Sequence, residues 1–333
     1  MTSTGPRAAI LLSTYNGQKF LPELLESLLQ QTYSDFHLIV RDDGSTDDSP
    51  AMTMAYRERF VQMTFLSDNE HVGPIDSFSR VAQEALRFPE IDFFFFCDQD
   101  DIWEKEKLKI YMETTLLPET DPAKLRLVFS DLTAVDVDLK LIHLSHMAFN
   151  RMRPENTSLN RLLMQNVPVG CTAMVNRSLL HAALPFPSDA LMHDEWINLC
   201  AAALGEFVFI DRPLVRYRRH LESVTGLAGF TWRYMISQCI RRPDLSARIY
   251  QAEVLLSRYQ QELPEEKLML LRQFISLKDI GLWGRLQKII AFQFFKTPLL
   301  RTIGIFFARF DGPRQVRFFP SRANQKIKKP YNP

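Results

Sequence analysis

The first hundred residues alternate between short apolar runs and longer segments with helical spacing. Residues 8–13 (AAILLS) predict a strand, and the turn Thr14-Tyr15-Asn16-Gly17 follows. Phe20, Leu21, Leu24, Leu25, Leu28 and Leu29 then recur at helical intervals and predict a helix to about Gln31. Residues 36–40 predict a second strand, the stretch after Ser49-Pro50 a helix to Phe60, and residues 61–66 a third strand. A helix over 75–86 and a fourth strand over 91–97 complete the series. Strands alternating with helices at this spacing imply βαβ units and a parallel sheet, a Rossmann-like half.

Further on, residues 125–130 read as a strand with a polar edge at 131–138. Residues 166–176 (NVPVGCTAMVN) read as another strand, in which Gly170 permits close backbone approach. Residues 213–220 (PLVRYRRH) are a last strand candidate ending at His220. From about Phe230 the alternation stops, and residues 232–241, 245–262, 265–277 and 282–295 look helical.

Composition changes this picture in one respect. Apolar content of 46% and charged content of 24% are those of a folded globular chain with ample core. The net charge of +1 hides an asymmetry, because residues 226–333 hold 19 Lys and Arg against 7 Asp and Glu. An acidic front and a basic, aromatic-rich back suggest two parts, expected at 1–228 and 229–333, with different partners. The four cysteines are scattered with no CxxC spacing and no signal peptide is evident, which favours the cytoplasm over a disulfide framework. No apolar stretch is long enough to span a bilayer.

The candidate chemistry sits where the strands end. Residues 93–103 (FFFFCDQDDIW) run from a buried strand into Asp98, Asp100 and Asp101. Carboxylates this close repel one another unless a cation neutralises them, and a hard divalent ion with oxygen ligands suits such a cluster. A solvated acidic turn is the plainer alternative. Asp42 and Asp43 open the segment DDGSTDDSP and suit hydrogen bonds from a base N–H or ribose hydroxyls, or equally a helix cap. No GxGxxG follows the first strand, so a dinucleotide cradle is missing.

TYNG, DDGSTDD and DQDD, each after a strand and in this order, resemble glycosyltransferase family 2, inverting nucleotide-sugar transferases of GT-A fold. The resemblance covers about 105 residues. It implies an α/β GT-A catalytic domain, Rossmann-like with a mostly parallel central sheet flanked by helices, and here a C-terminal helical extension. It further implies that Thr14, Tyr15 and Asn16 line the nucleotide pocket with Asp42, and that Asp43 contacts the base. Asp98 and Asp100 would hold ribose and a diphosphate bound to Mg²⁺ or Mn²⁺. Trp103 would pack beside the sugar, although a core aromatic there is as natural. Asn69 and Gly73 occupy a loop that often touches the donor in such enzymes, but Asp76-Ser77 departs from the usual pattern and no contact is carried over.

In HDEW, Asp194 matches the family's general base at the start of a helix, and a carboxylate in reach of the acceptor hydroxyl serves that purpose. Glu195 is the neighbouring candidate; one step along a helix turns it about 100° away. An acidic first helical turn stabilised by the macrodipole accounts for both without catalysis. His220 matches a late metal-ligand histidine, or is structural. Arg216, Arg218 and Arg219 suit a diphosphate. His143 and His146 lack zinc-ligand company and read as packing residues.

DQDDIW, GCTAM, HDEW and YRRH look most like bacterial rhamnosyltransferase-type members, which implies a dTDP-6-deoxyhexose or other dTDP- or UDP-sugar donor. A glycan or lipid-linked acceptor is expected. The basic end, mixing Phe, Trp and Ile with Lys and Arg, fits either an anionic membrane surface or helices packed on the catalytic domain. The protein is therefore expected in the cytoplasm, peripheral on the inner face of the membrane. No nucleic-acid module accompanies the basic tail. Two other classes stay open: a metal-dependent nucleotidyltransferase or phosphohydrolase using the same carboxylates, and an inactive sugar-nucleotide-binding scaffold.

Overall fold

The computed structural model describes residues 8–115, 124–219, 243–297, 301–302, 304–305 and 308–310. Strands β1 (Ala8–Thr14), β2 (Phe36–Asp42), β3 (Gln62–Ser67) and β4 (Phe93–Asp98) are mutually parallel and lie in the order β3-β2-β1-β4. The sheet continues through further strands: β5 (Ile102–Trp103), β6 (Arg126–Val135), β7 (Leu141–His143), β8 (Ala173–Asn176) and β9 (Glu206–Arg218). β8 is antiparallel to both β4 and β6, while β6 and β9 are parallel to each other. β5 closes the far edge and β7 pairs with β6. The sheet is mostly parallel, as expected for GT-A.

Alternation along the strands builds two cores. Ala9, Leu11, Phe94 and Phe96 face one side, under the helices Pro74–Ala85 and His193–Leu204. Ile10, Leu12, Phe95 and Cys97 face the other, under the helices Leu21–Leu29 and Lys107–Thr115. The run of four phenylalanines therefore supplies both layers. Leu255, Leu271, Phe274, Ile289 and Phe294 of the C-terminal helices Ser246–Tyr259, Glu265–Ile275 and Leu282–Ala291 join the first core. These helices thus pack on the catalytic part. Trp283 and Ile290 stay exposed. The boundary expected at 228, like the helix expected at 232–241, lies outside the described residues.

Three elements differ from the sequence pattern. Residues 166–176 are mostly not strand: a 3₁₀ turn at Gly170–Thr172 precedes the short β8. β6 runs on to Val135 through the stretch expected as a polar edge. β9 begins at Glu206 rather than 213, and its register against β6 shifts beside Pro213. A bulge is where a strand tolerates proline.

Candidate active site

The parallel register fixes which residues share the carboxyl edge. Thr14 pairs with Asp42 across β1 and β2, and Ser13 with Asp98 across β1 and β4. The ends of three strands therefore bring TYNG, DDGS and DQDD together. Gln99 stitches the first to the last: its Oε1 accepts from Thr14 Oγ1 at 2.9 Å and Tyr15 N at 2.8 Å, and its Nε2 donates to Tyr15 O at 3.0 Å. Asn16, at a φ of 48°, accepts from Thr46 N at 2.8 Å and donates its own N–H to Ser45 Oγ at 2.9 Å. The first two loops are thus locked to one another.

Asp42 and Asp43 differ sharply. Asp43 accepts from Val72 N at 3.0 Å and Gly73 N at 2.9 Å, and pairs with the buried Arg41 guanidinium and with His71. Both its oxygens are engaged in holding the β3-to-helix loop. Asp42 accepts from Ser45 N at 2.9 Å through one oxygen, and its buried Oδ1 has no partner. A buried acceptor without a donor is costly, so Asp42 is the better placed of the two to receive a ligand N–H or O–H. The Tyr15 ring stacks on His71, centroids 4.1 Å apart.

The acidic cluster is crowded. Burial, then the charges of Asp100 and Asp194, push Asp98 up to about 7. Burial, then the charges of Asp100 and Asp98, push Asp101 well above the usual carboxylate range; its Oδ2 is buried without a partner. Ligand atoms of Asp98, Asp101 and Cys171 lie within 4.8 Å of one another. Lys107, a buried cation nearby, donates to Cys171 O at 2.7 Å and lies 3.2 Å from the Trp103 ring centroid. Burial draws its ammonium down to about 8. Crowded carboxylates with an unused buried oxygen fit a hard divalent ion, whereas the Cys171 thiol, held protonated by burial, does not.

Asp194 lies in the first turn of the helix His193–Leu204. Its Oδ2 accepts from Asn166 Nδ2 at 2.9 Å and Gly170 N at 3.0 Å, and its Oδ1 from Glu195 N at 2.8 Å. A carboxylate offers about four lone-pair positions, so one on Oδ1 is left for a substrate. Burial raises its pKa against those three donors. Glu195 turns to Arg248, 2.9 Å away. His193 is stacked on Phe78 at 3.9 Å, and burial draws it down to about 3, so the ring is a neutral packing group.

Several expected residues fall elsewhere. Trp103 is 2% exposed, in β5 rather than at a helix start, packed on Phe95 beneath Lys107. Lys107 covers the ring, which is sealed from solvent. Arg216 bonds Glu104 at 2.7 Å, and Arg218 donates to Asp100 O at 3.0 Å, to Val137 O at 2.6 Å and to Glu23. His220 lies outside the described residues. Gln99, Asn166, Lys107 and Arg41 are site residues that pattern reading passes over. Gln99 had a signal, its place inside DQDD; the other three owe their positions to partners far along the chain.

The family described as Glycosyl transferase family 2 matches residues 9–182. The dTDP-rhamnosyl transferase RfbG of Shigella flexneri is 23% identical over 225 residues, 65% of this chain and 73% of its own. The UDP-Glc:alpha-D-GlcNAc-diphosphoundecaprenol beta-1,3-glucosyltransferase WfgD of Escherichia coli is 24% identical over 196 residues, 57% of this chain and 68% of its own. Among solved structures, S. aureus TarS 1–349 in complex with UDP-GlcNAc shares the fold, with a TM-score of 0.55 and 17% identity over 90% of each chain.

Proposed function

The chain belongs to glycosyltransferase family 2, and from that membership we propose that it is an inverting transferase acting in bacterial surface polysaccharide synthesis. It is a nucleotide-sugar glycosyltransferase; the proposal adds the roles of its residues and the finer substrates. The reading rests above all on Asp98 and Asp194, which are close enough for the charge of Asp194 to raise Asp98.

In this reading the nucleoside lies over TYNG and DDGS, where Asp42 Oδ1 accepts a base N–H or ribose O–H. Asp98 and Asp100, with Asp101 behind them, would hold a divalent ion, which when bound neutralises the diphosphate leaving group. Asp194 Oδ1 takes the proton of the acceptor hydroxyl. The new bond forms between that oxygen and the anomeric carbon as the bond to diphosphate breaks on the opposite face. The carbon passes through an oxocarbenium-like state, and the configuration inverts.

A 6-deoxyhexose donor is favoured by the look of DQDDIW and HDEW and by the name of RfbG, while WfgD, at equal identity, is named for glucose. The acceptor is proposed to be a glycan or lipid-linked hydroxyl. Among the described residues no helix is long and apolar enough to cross a membrane. Trp283, 75% exposed, with Leu282 and Ile290 nearby, suits peripheral contact with the inner face of a membrane. Failure to pellet with anionic vesicles would remove that part. The transfer itself is tested with Asp194→Asn: donor binding persists and formation of glycosidic product falls by about 10²–10⁴-fold, whereas near-normal turnover rejects Asp194 as the base.

A further inference from the structure

The C-terminal region closes one side of a cleft on the loop that orients Asp194. Asn160 Nδ2 donates to Phe292 O at 3.1 Å, Asn156 Nδ2 to Thr297 Oγ1 at 3.0 Å, and Thr297 N to Gln165 Oε1 at 2.7 Å. These bonds join stretches more than 130 residues apart in the chain. Between the two stretches lies about 220 Å³ of space, open to solvent and lined by Met152, Arg153, Asn156, Arg161, Val167 and Phe295. Gln165 and Thr297 complete its wall. Gln165 precedes Asn166, whose amide holds Asp194, so the cleft begins one residue from the grip on the proposed base.

The lining carries donors that the protein itself does not use. The Arg161 guanidinium lies over the Phe295 ring, its Cζ 5.1 Å from the centroid, a contact that orients the fork and leaves its N–H edges available. Among the described residues neither Arg161 nor Arg153 has a carboxylate within ion-pair reach, Glu155 included. Asp194 and Glu195 are taken by other partners. Asn156 and Gln165 each spend one end of the amide on Thr297, which leaves Asn156 Oδ1 as an acceptor and Gln165 Nε2 as a donor. Met152, Val167 and Phe295 supply apolar surface between these polar groups. Guanidinium forks match a planar carboxylate, amide ends match ring hydroxyls, and apolar side chains match the C–H face of a sugar. A phosphate is served less well, since no ammonium and no helix N-terminus lines the cleft.

We propose that this cleft binds an acidic sugar, a hexuronic acid residue of the acceptor glycan, with its carboxylate on Arg153 and Arg161. The proposal rests on the transferase reading, since it makes the cleft an extension of the place where Asp194 would deprotonate the acceptor hydroxyl. An open cleft suits one residue of an extended chain. It also gives the C-terminal region a part in substrate choice, through Phe295 and Thr297.

Ligand-observed NMR titration of the full chain with methyl β-glucuronide tests it, with methyl β-glucoside and inorganic phosphate as controls. The glucuronide should bind about 10-fold more tightly than the glucoside, the scale of one charge-assisted hydrogen bond, and should not be displaced by an equal concentration of phosphate. Saturating UDP or dTDP with Mn²⁺ should leave its affinity unchanged, as should Asp100→Asn on the donor side. Arg161→Gln should weaken it about 10-fold, and Arg161→Lys should restore it only in part because the fork is lost. Arg153→Gln, on an exposed side chain, gives the same reading if Arg161→Gln lowers the thermal midpoint. Equal binding of glucuronide and glucoside, displacement by phosphate or by nucleotide, or affinities unmoved by both arginine variants overturn the assignment. So does the absence of glucuronide binding in a protein that still binds nucleotide with Mn²⁺, a result that leaves the transferase reading standing.

Discussion

Gly170 holds the carboxylate of Asp194 with its backbone: the Gly170 N–H donates to Asp194 Oδ2 at 3.0 Å. A methyl group on Gly170 would lie 2.9 Å from His193 Nε2 and 3.3 Å from Asp194 Cβ. His193 is clamped on Phe78 and cannot yield freely. Gly170→Ala should therefore displace the carboxylate. The expected result is a fall in kcat of about 10²-fold, the scale of a 1 Å misplacement, with donor affinity unchanged. An unaltered kcat would mean that the position of Asp194 does not matter.

The pH dependence of transfer follows from the same carboxylate. Burial raises the pKa of Asp194 above its ordinary value, and a base must be deprotonated to act. Activity should be full above that raised pKa and fall as pH drops through it. Asp194→Asn should lower kcat by about 10²–10⁴-fold and flatten this acid limb. A limb that persists in the variant's residual activity belongs to another group.

Asp98 makes the opposite contribution to stability. Its carboxyl sits at about 7 in the folded protein against 3.8 ordinarily, so the native state holds the proton more tightly than the unfolded chain. The stability it contributes is complete below about pH 4 and is lost as pH rises through about 7. Without metal, Asp98→Asn should raise the thermal midpoint at pH 8 by about 2–4 °C, by a smaller margin at pH 5, and should abolish transfer. A variant less stable than wild type at pH 8 would show that the cluster is not repulsive.

Gln99 ties Thr14 and Tyr15 to the acidic loop over some 85 residues of sequence. Gln99→Leu keeps the volume and removes three hydrogen bonds. The donor KM should rise about 10-fold with little change in kcat at saturation, which steady-state kinetics over a donor series would read. An unchanged KM would reduce Gln99 to a loop spacer.

Much of this was legible in the chain because the determinants are local. Strands β1 to β4 and their helices follow from apolar periodicity, and the acidic residues follow from where those strands stop. The 3₁₀ turn at Gly170–Thr172 was not legible, since His193 and Asp194, far along the chain, dictate it. The place of Trp103 after DQDD suits a sugar contact and a core aromatic equally, and only Lys107 lying over the ring decides for the core. Asp42 and Asp43 are neighbours of the same type, and only the loop at Val72 and Gly73 tells which carboxylate is already spent.

The carboxylates on the β4 edge are proposed to form a donor site completed by a divalent ion. Thermal shift over a panel of nucleotide sugars, with and without Mn²⁺, in wild type and Asp100→Ala, tests it most directly. Ligand at about 100 times its Kd stabilises the native state by about 2.7 kcal/mol. The prediction is a rise in midpoint for one donor class, dependent on Mn²⁺ and absent in Asp100→Ala. Equal shifts without metal or in the variant, or no shift with any nucleotide sugar, would contradict it.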